Sequence, residues 1–162
     1  AADLSDTDSL AWLAALLPSG PVVTSGLARA MQTAEALKRL NPSLSAIPTE
    51  SDFCEQDFGA WTGRTWDEIA PLAIVPPYVP HRVTCRRVLR RVIALSNQRR
   101  DGTIVSVAHA GTIRAALALA LDLDFAASIR FEIEPLSLTR IDAFVGGPDI
   151  SWRVHSVNVT AP

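Results

Sequence analysis

Apolar positions recur along the chain with two different periods. Leu10, Leu13, Ala14, Leu16 and Leu17 fall at helical spacing behind Ser5 or Asp6, either of which suits an N-cap. Pro18-Ser19-Gly20 stops that helix. Residues 21–24 then form a short apolar run without alternation, the pattern of a strand buried on both faces. Ser25 reads as the cap of a second helix, with Leu27, Ala30, Met31, Ala34 and Leu37 on one face and Asn41-Pro42 at its end. Residues 47–53 read as extended. Residues 56–63 are a loop with two glycines and Trp61, and 65–70 a short helix.

Residues 71–80 hold four prolines and no period of either kind. Residues 82–97 predict an amphipathic helix, with Cys85, Val88, Leu89, Val92 and Ile93 on the apolar side and Arg86, Arg87, Arg90 and Arg91 on the charged side. Asp101-Gly102 is a turn, residues 103–108 a second buried strand and 112–121 a helix. Residues 136–144 and 150–159 flank Val145-Gly146-Gly147-Pro148-Asp149 and read as an antiparallel hairpin at a sheet edge. Strands alternating with helices predict an α/β fold of three layers, α/β/α, around a mostly parallel sheet.

Composition narrows the function classes. A chain of 162 residues is one domain by length, and a formal charge of −2 does not advertise nucleic-acid binding. The arginines Arg82, Arg86, Arg87, Arg90, Arg91, Arg99 and Arg100 have no stacking aromatics among them and read as a solvated helix face. Two cysteines, Cys54 and Cys85, make neither a disulfide framework nor a zinc site and fit a reducing, cytoplasmic setting. No apolar run reaches a membrane span, and residues 1–6 carry no signal-peptide pattern. The hairpin edge offers a surface on which two copies could pair as a homodimer.

The candidate chemistry lies at the two strand-to-helix junctions. Arg29 falls in the first turn of the second helix, where a cation opposes the helix dipole unless an anion binds beside it. His109 ends the second apolar strand, and Ala110-Gly111-Thr112 turns the chain into a helix. Ligands of open α/β sheets bind at such carboxyl ends, and a protonated histidine there donates to a phosphoryl oxygen. Glu55, flanked by aromatic residues, reads by itself most simply as a surface loop glutamate; the same setting also suits a general acid of raised pKa, with Asp57 as a competitor for that role. Cys54 has no paired base in view and reads as a small buried residue; His81 and His155 read as structural. No His/Cys/Asp cluster has metal-ligand spacing.

Three segments carry a family resemblance. Ser25-Gly26-Leu27-Ala28-Arg29-Ala30-Met31-Gln32-Thr33-Ala34 resembles the S-x-L-x-R-A-x-Q-T-A signature of the histidine phosphatase superfamily, the phosphoglycerate-mutase-like fold. Glu55-Gln56-Asp57-Phe58-Gly59-Ala60-Trp61-Thr62-Gly63 is similar to its E-x-x-F-G-x-W-x-G segment, and Val107-Ala108-His109-Ala110-Gly111-Thr112-Ile113-Arg114 to its V-x-H-x-G-x-I-R segment. Ser137-Leu138-Thr139-Arg140 with Val157-Asn158 resembles the phosphatase branch related to α-ribazole phosphatase and broad-specificity phosphatases.

The resemblance implies hydrolysis of a small phosphate monoester through a phosphohistidine, without metal or other cofactor. It implies that Arg29 clamps phosphoryl oxygens and that His109 stabilises the transferring group. Glu55 would protonate the leaving oxygen, and the Thr112 backbone N–H would add a donor. It also places the nucleophile in an Arg-His-Gly triplet on a first strand, ahead of the helix that begins here near Ser5. Residues 1–162 are therefore expected to be one such domain lacking that strand. A second departure is Pro-Pro-Tyr-Val-Pro-His-Arg-Val-Thr at 76–84, where the family has a Gly-Glu-Ser segment. Two alternatives stay open: an inactive phosphate-ester-binding or regulatory homologue, and a mutase of the same fold.

Overall fold

The computed structural model describes residues 1–46, 49–55, 64–65, 68, 81–98, 102–146 and 150–162. Helix α1, Thr7–Leu16, starts at Asp6, whose side chain accepts from the Ser9 N–H. Strand β1, Gly20–Thr24, leads into α2, Ala28–Leu40, and β2, Leu44–Ala46. A single 3-10 turn follows at Ser51–Phe53. Helix α3, His81–Gln98, precedes β3, Val105–Val107, then α4, Ala110–Leu121, and the one-turn α5, Phe125–Ser128. Strands β4, Leu138–Val145, and β5, Ile150–Val159, close the chain.

Strand order in the parallel sheet is β2-β1-β3, and β4 and β5 form their own antiparallel pair. The sheet is covered on both sides, which explains the unalternating run at β1. Val22 packs with Leu10, Leu13, Leu37 and Leu44 in the core shared with α1 and α2. Val23, its neighbour, points the other way and packs with Phe53, Val88 and Ala115 in the core shared with α3 and α4. The three-layer architecture thus rests on two adjacent valines facing opposite cores.

Several local expectations change. Ser25 is not the N-cap of α2: Leu27 holds that position without a side-chain cap, while the Ser25 hydroxyl, two residues earlier, accepts from the Leu27 N–H at 3.3 Å and meets His109. The stretch expected to be extended at 47–53 is a 3-10 turn at Ser51–Phe53. The helix expected at 112–121 begins at Ala110, which puts Gly111 and Thr112 in its first turn. The arginine face of α3 is only partly solvated. Arg86 is exposed, but Arg87 donates to the Cys54 carbonyl, Arg90 holds Asp52 and half-buried Arg91 pairs with Glu50. Helical periodicity cannot distinguish a stripe facing water from one facing carboxylates of another segment.

The expectations for residues 47–48, the loop at 56–63 with Asp57 and Trp61, most of the helix at 65–70, the proline-rich 71–80, Arg99 and Arg100, Asp101 and the 147–149 turn lie outside the described residues, as do the side chains of His81 and Arg82. Among the described residues, no helix is long and apolar enough to cross a membrane.

Candidate functional site

The site forms where β1 and β3 end side by side. Thr24 pairs with Val107, so Ser25 and His109 leave the sheet at neighbouring points. Both are deeply buried, at 3% and 6% exposure. Ser25 Oγ lies 2.7 Å from His109 Nε2. Gly26 follows at φ +81°, a left-handed conformation that turns the chain from β1 towards α2 and that a side chain would strain. One turn further, Arg29 donates its Nε–H to His109 Nδ1 at 3.2 Å.

These two bonds determine the state of the imidazole. A guanidinium only donates, so Nδ1 must present its lone pair to Arg29. The ring proton then sits on Nε2 and is donated to Ser25 Oγ. Burial, and after it the Arg29 cation, push the His109 pKa down to about 4. The ring is therefore neutral at pH 7. The sequence reading had a protonated His109 donating to phosphate; in the unliganded site the ring is uncharged and both of its nitrogens are engaged.

Glu55 reaches the same place from the 49–55 segment. Its Oε1 accepts from the Gly111 N–H at 3.1 Å, two residues beyond His109. A carboxylate in the first turn of α4 satisfies an otherwise orphaned donor and lies favourably in the helix dipole. Thr112, in that same turn, directs its hydroxyl to the Cys54 carbonyl at 2.9 Å and the Phe53 carbonyl at 3.3 Å. The structure thus brings Arg29, His109, Glu55 and Thr112 to adjoining turns at one end of the sheet.

The other candidates lie apart or are inert. Half-buried Cys54 donates its thiol to the Ser25 carbonyl at 3.0 Å, and burial pushes the Cys85 thiol pKa up. His155 Nε2 lies 2.6 Å from Asp142 Oδ2 on the β4–β5 hairpin.

Sequence reasoning missed two residues here. Ser25 was read as a helix cap, although it follows a buried parallel strand just as His109 nearly does; that shared position was the available signal. Arg114 lies half-buried on α4 and donates to the Phe131 carbonyl at 2.8 Å. Burial lowers its pKa, opposed by the Glu55 carboxylate. Its place as the last residue of the V-x-H-x-G-x-I-R segment was the available signal.

Known structures share this arrangement of elements. A structure described as mycobacterial hydrolase 2 superposes with a TM-score of 0.79 at 23% identity, over 99% of this chain and 80% of that one. Mycobacterial glucosyl-3-phosphoglycerate phosphatase in complex with VO3 gives 0.75 at 24% identity, over 97% of this chain and 87% of that one. YhfR of Bacillus stearothermophilus gives 0.74 at 19% identity, over 94% and 82%. Likeness at this identity speaks for the fold. No curated protein matches the chain in sequence. The family profile for the histidine phosphatase superfamily (branch 1) matches residues 9–158, and so the chain that carries Arg29 and His109 at adjoining strand ends belongs to the histidine phosphatase superfamily.

Proposed function

We propose that the protein is a phosphomonoesterase acting on a small phosphate ester through a phosphohistidine intermediate. One observation carries this reading: Arg29 and His109, 80 residues apart in sequence, meet at 3.2 Å beside the first turn of α4. Family membership supports a histidine-phosphatase-type enzyme. The resemblance assigns the phosphoryl-accepting histidine to an Arg-His-Gly triplet, and the residues described here take the other roles.

On binding, the phosphoryl oxygens replace His109 Nδ1 as the acceptor for Arg29, whose fork of N–H groups suits bidentate contact. An anion at that point offsets the two effects that keep His109 neutral. The ring then takes up a proton at Nδ1 and donates to the transferring group. The Thr112 backbone N–H, in the first turn of α4, adds a donor on the same side.

Glu55 supplies the proton traffic. The anionic ester beside Glu55 favours its protonated form, so the carboxylate takes up a proton as the ester binds. As the accepting histidine bonds to phosphorus, the P–O bond to the leaving group breaks and Glu55 gives that proton to the leaving oxygen, so the alcohol leaves neutral. In the second step water attacks phosphorus and gives a proton to the Glu55 carboxylate. The phosphorus–nitrogen bond breaks and inorganic phosphate departs.

The test is hydrolysis of p-nitrophenyl phosphate by the full-length protein, with the Arg-His-Gly triplet that the resemblance calls for. Arg29→Ala and His109→Ala should each lower kcat/KM by roughly 10²-fold or more. Absence of turnover, or variants indistinguishable from the parent, would refute the reading.

A further inference from the structure

Glu55 projects from a segment with almost no regular structure of its own. Residues 49–55 contain one 3-10 turn and no strand. What fixes the segment is a set of ties to the elements around it. The Glu50 N–H donates to the Thr24 carbonyl at the end of β1, at 2.7 Å. Arg91 of α3 pairs with the Glu50 carboxylate, and Arg90 Nε lies 3.3 Å from Asp52 Oδ2.

Two further ties meet on one atom. The carbonyl oxygen of Cys54, in the peptide that leads into Glu55, accepts from Thr112 Oγ1 of α4 at 2.9 Å and from Arg87 Nη2 of α3 at 3.2 Å. Thr112 and Thr84, the other partner of Arg87 Nη2, are both buried. Two donors on different helices hold a carbonyl in two directions at once. The peptide plane that sets the departure of Glu55 is thereby fixed.

We propose that Thr112 and Arg87 are positioning residues for Glu55: together they clamp the Cys54 carbonyl, so that the carboxyl group stands at the first turn of α4 where the leaving oxygen must lie. The inference rests on the proposed role of Glu55 as general acid. It adds a task for the Thr112 hydroxyl, distinct from that of its backbone N–H. It also gives a task to an arginine of α3, the helix that packs Val88 against Phe53 and Ala115. A displacement of about 1 Å in a proton donor is enough to cost on the order of 10²-fold in rate.

Leaving-group dependence tests this. p-Nitrophenolate departs without a proton, whereas an alkoxide does not. A misplaced acid therefore penalises an alkyl phosphate selectively, whereas general loosening of the fold lowers turnover of both esters alike. Thr112→Val keeps the backbone N–H and the branched shape but removes the hydroxyl. Arg87→Met keeps the stem but removes the guanidinium, and approaches the same carbonyl from the other helix should Thr112→Val fold poorly. In each, the ratio of kcat/KM for an alkyl phosphate to that for p-nitrophenyl phosphate should fall by roughly 10-fold to 10²-fold. Thr112→Ser and Arg87→Lys should restore much of it.

Glu55→Gln, measured alongside, separates the two readings. A selective loss in Glu55→Gln with equal losses on both esters in Thr112→Val and Arg87→Met overturns the clamp alone. Equal losses in Glu55→Gln, or no turnover by the full-length parent protein, overturn the general-acid role and the clamp with it.

Discussion

Arg29 Nε donates to His109 Nδ1 across 3.2 Å, and this one bond assigns the proton of the imidazole to the opposite nitrogen, where Ser25 Oγ accepts it at 2.7 Å. The two strand ends therefore contribute a cation and a neutral donor to the site in its unliganded state. The first measurable consequence is the titration of His109. Its NMR midpoint should lie near 4 rather than at the ordinary histidine value of 6.5. Arg29→Gln should raise it, because the Arg29 cation contributes to the depression; burial, the larger cause, should keep it below the ordinary value. A wild-type midpoint near 6.5 would refute the burial and contacts described.

The same depression makes folding stability depend on pH. The unfolded chain takes up a proton at this histidine near pH 6.5, whereas the folded chain resists until about pH 4. Between these values the unfolded state binds more protons, so stability falls as pH falls. The full loss from this group is at most about 3 kcal/mol, at 1.36 kcal/mol per pH unit. Urea denaturation at pH 7, 5.5 and 4 measures it, and His109→Gln should flatten that part of the profile.

An anion in the site should reverse the sign of these effects. Inorganic phosphate or vanadate beside His109 stabilises the imidazolium, so its pKa rises in the complex and binding takes up a proton. The affinity of the site for a given anionic form should then increase as pH drops from 7 towards 5. Calorimetry in two buffers of different ionisation enthalpy reads the proton uptake directly. A buffer-independent binding heat would mean that His109 stays neutral in the complex.

Much of the frame was legible because apolar runs bounded by turn residues leave a simple mark. The run at 21–24 became a strand buried on both faces. The stretch at 103–108 became the shorter strand β3, but not a buried one: Val105 and Val107 are half-buried and Ser106 is exposed. The meeting of Arg29 and His109 was legible for the same reason, since both follow such strands. The charge state of His109 was not, because it depends on which donor faces Nδ1 from 80 residues away. The extended reading of 47–53 fails at Ser51–Phe53, where the chain makes a 3-10 turn; the ties of this segment run to α3, α4 and β1 rather than along its own backbone. The ion pairs of the α3 arginines are not legible in sequence, because spacing records which face a residue occupies, not what lies opposite.

The turn at Gly26 should not tolerate a side chain. Its φ of +81° lies in the left-handed region, and an added Cβ would stand 3.5 Å from Thr49 Cβ, which is ordinary contact. The cost is therefore conformational rather than steric, about 1–2 kcal/mol for Gly26→Ala. Relaxation of the turn would also shift Arg29 relative to His109. Thermal denaturation should show a lower Tm, and phosphate affinity should weaken in the same variant. A variant as stable as the parent would mean that the chain enters α2 by another turn.

Ser25→Ala should separate orientation from charge. Ser25 Oγ accepts the Nε2 proton of a ring that is only 6% exposed, so removing it strands a buried donor at a cost of about 1–3 kcal/mol. Arg29 remains in place, so Nδ1 is still held as an acceptor and the tautomer should persist. What the ring loses is its second anchor, and with it a fixed orientation about χ1 and χ2. Nitrogen chemical shifts of His109 should therefore still report a proton on Nε2, while Tm falls and exchange broadens the ring signals. If the proton instead moves to Nδ1, the Arg29 bond is too weak to dictate the tautomer, and the ordering of the site belongs to Ser25.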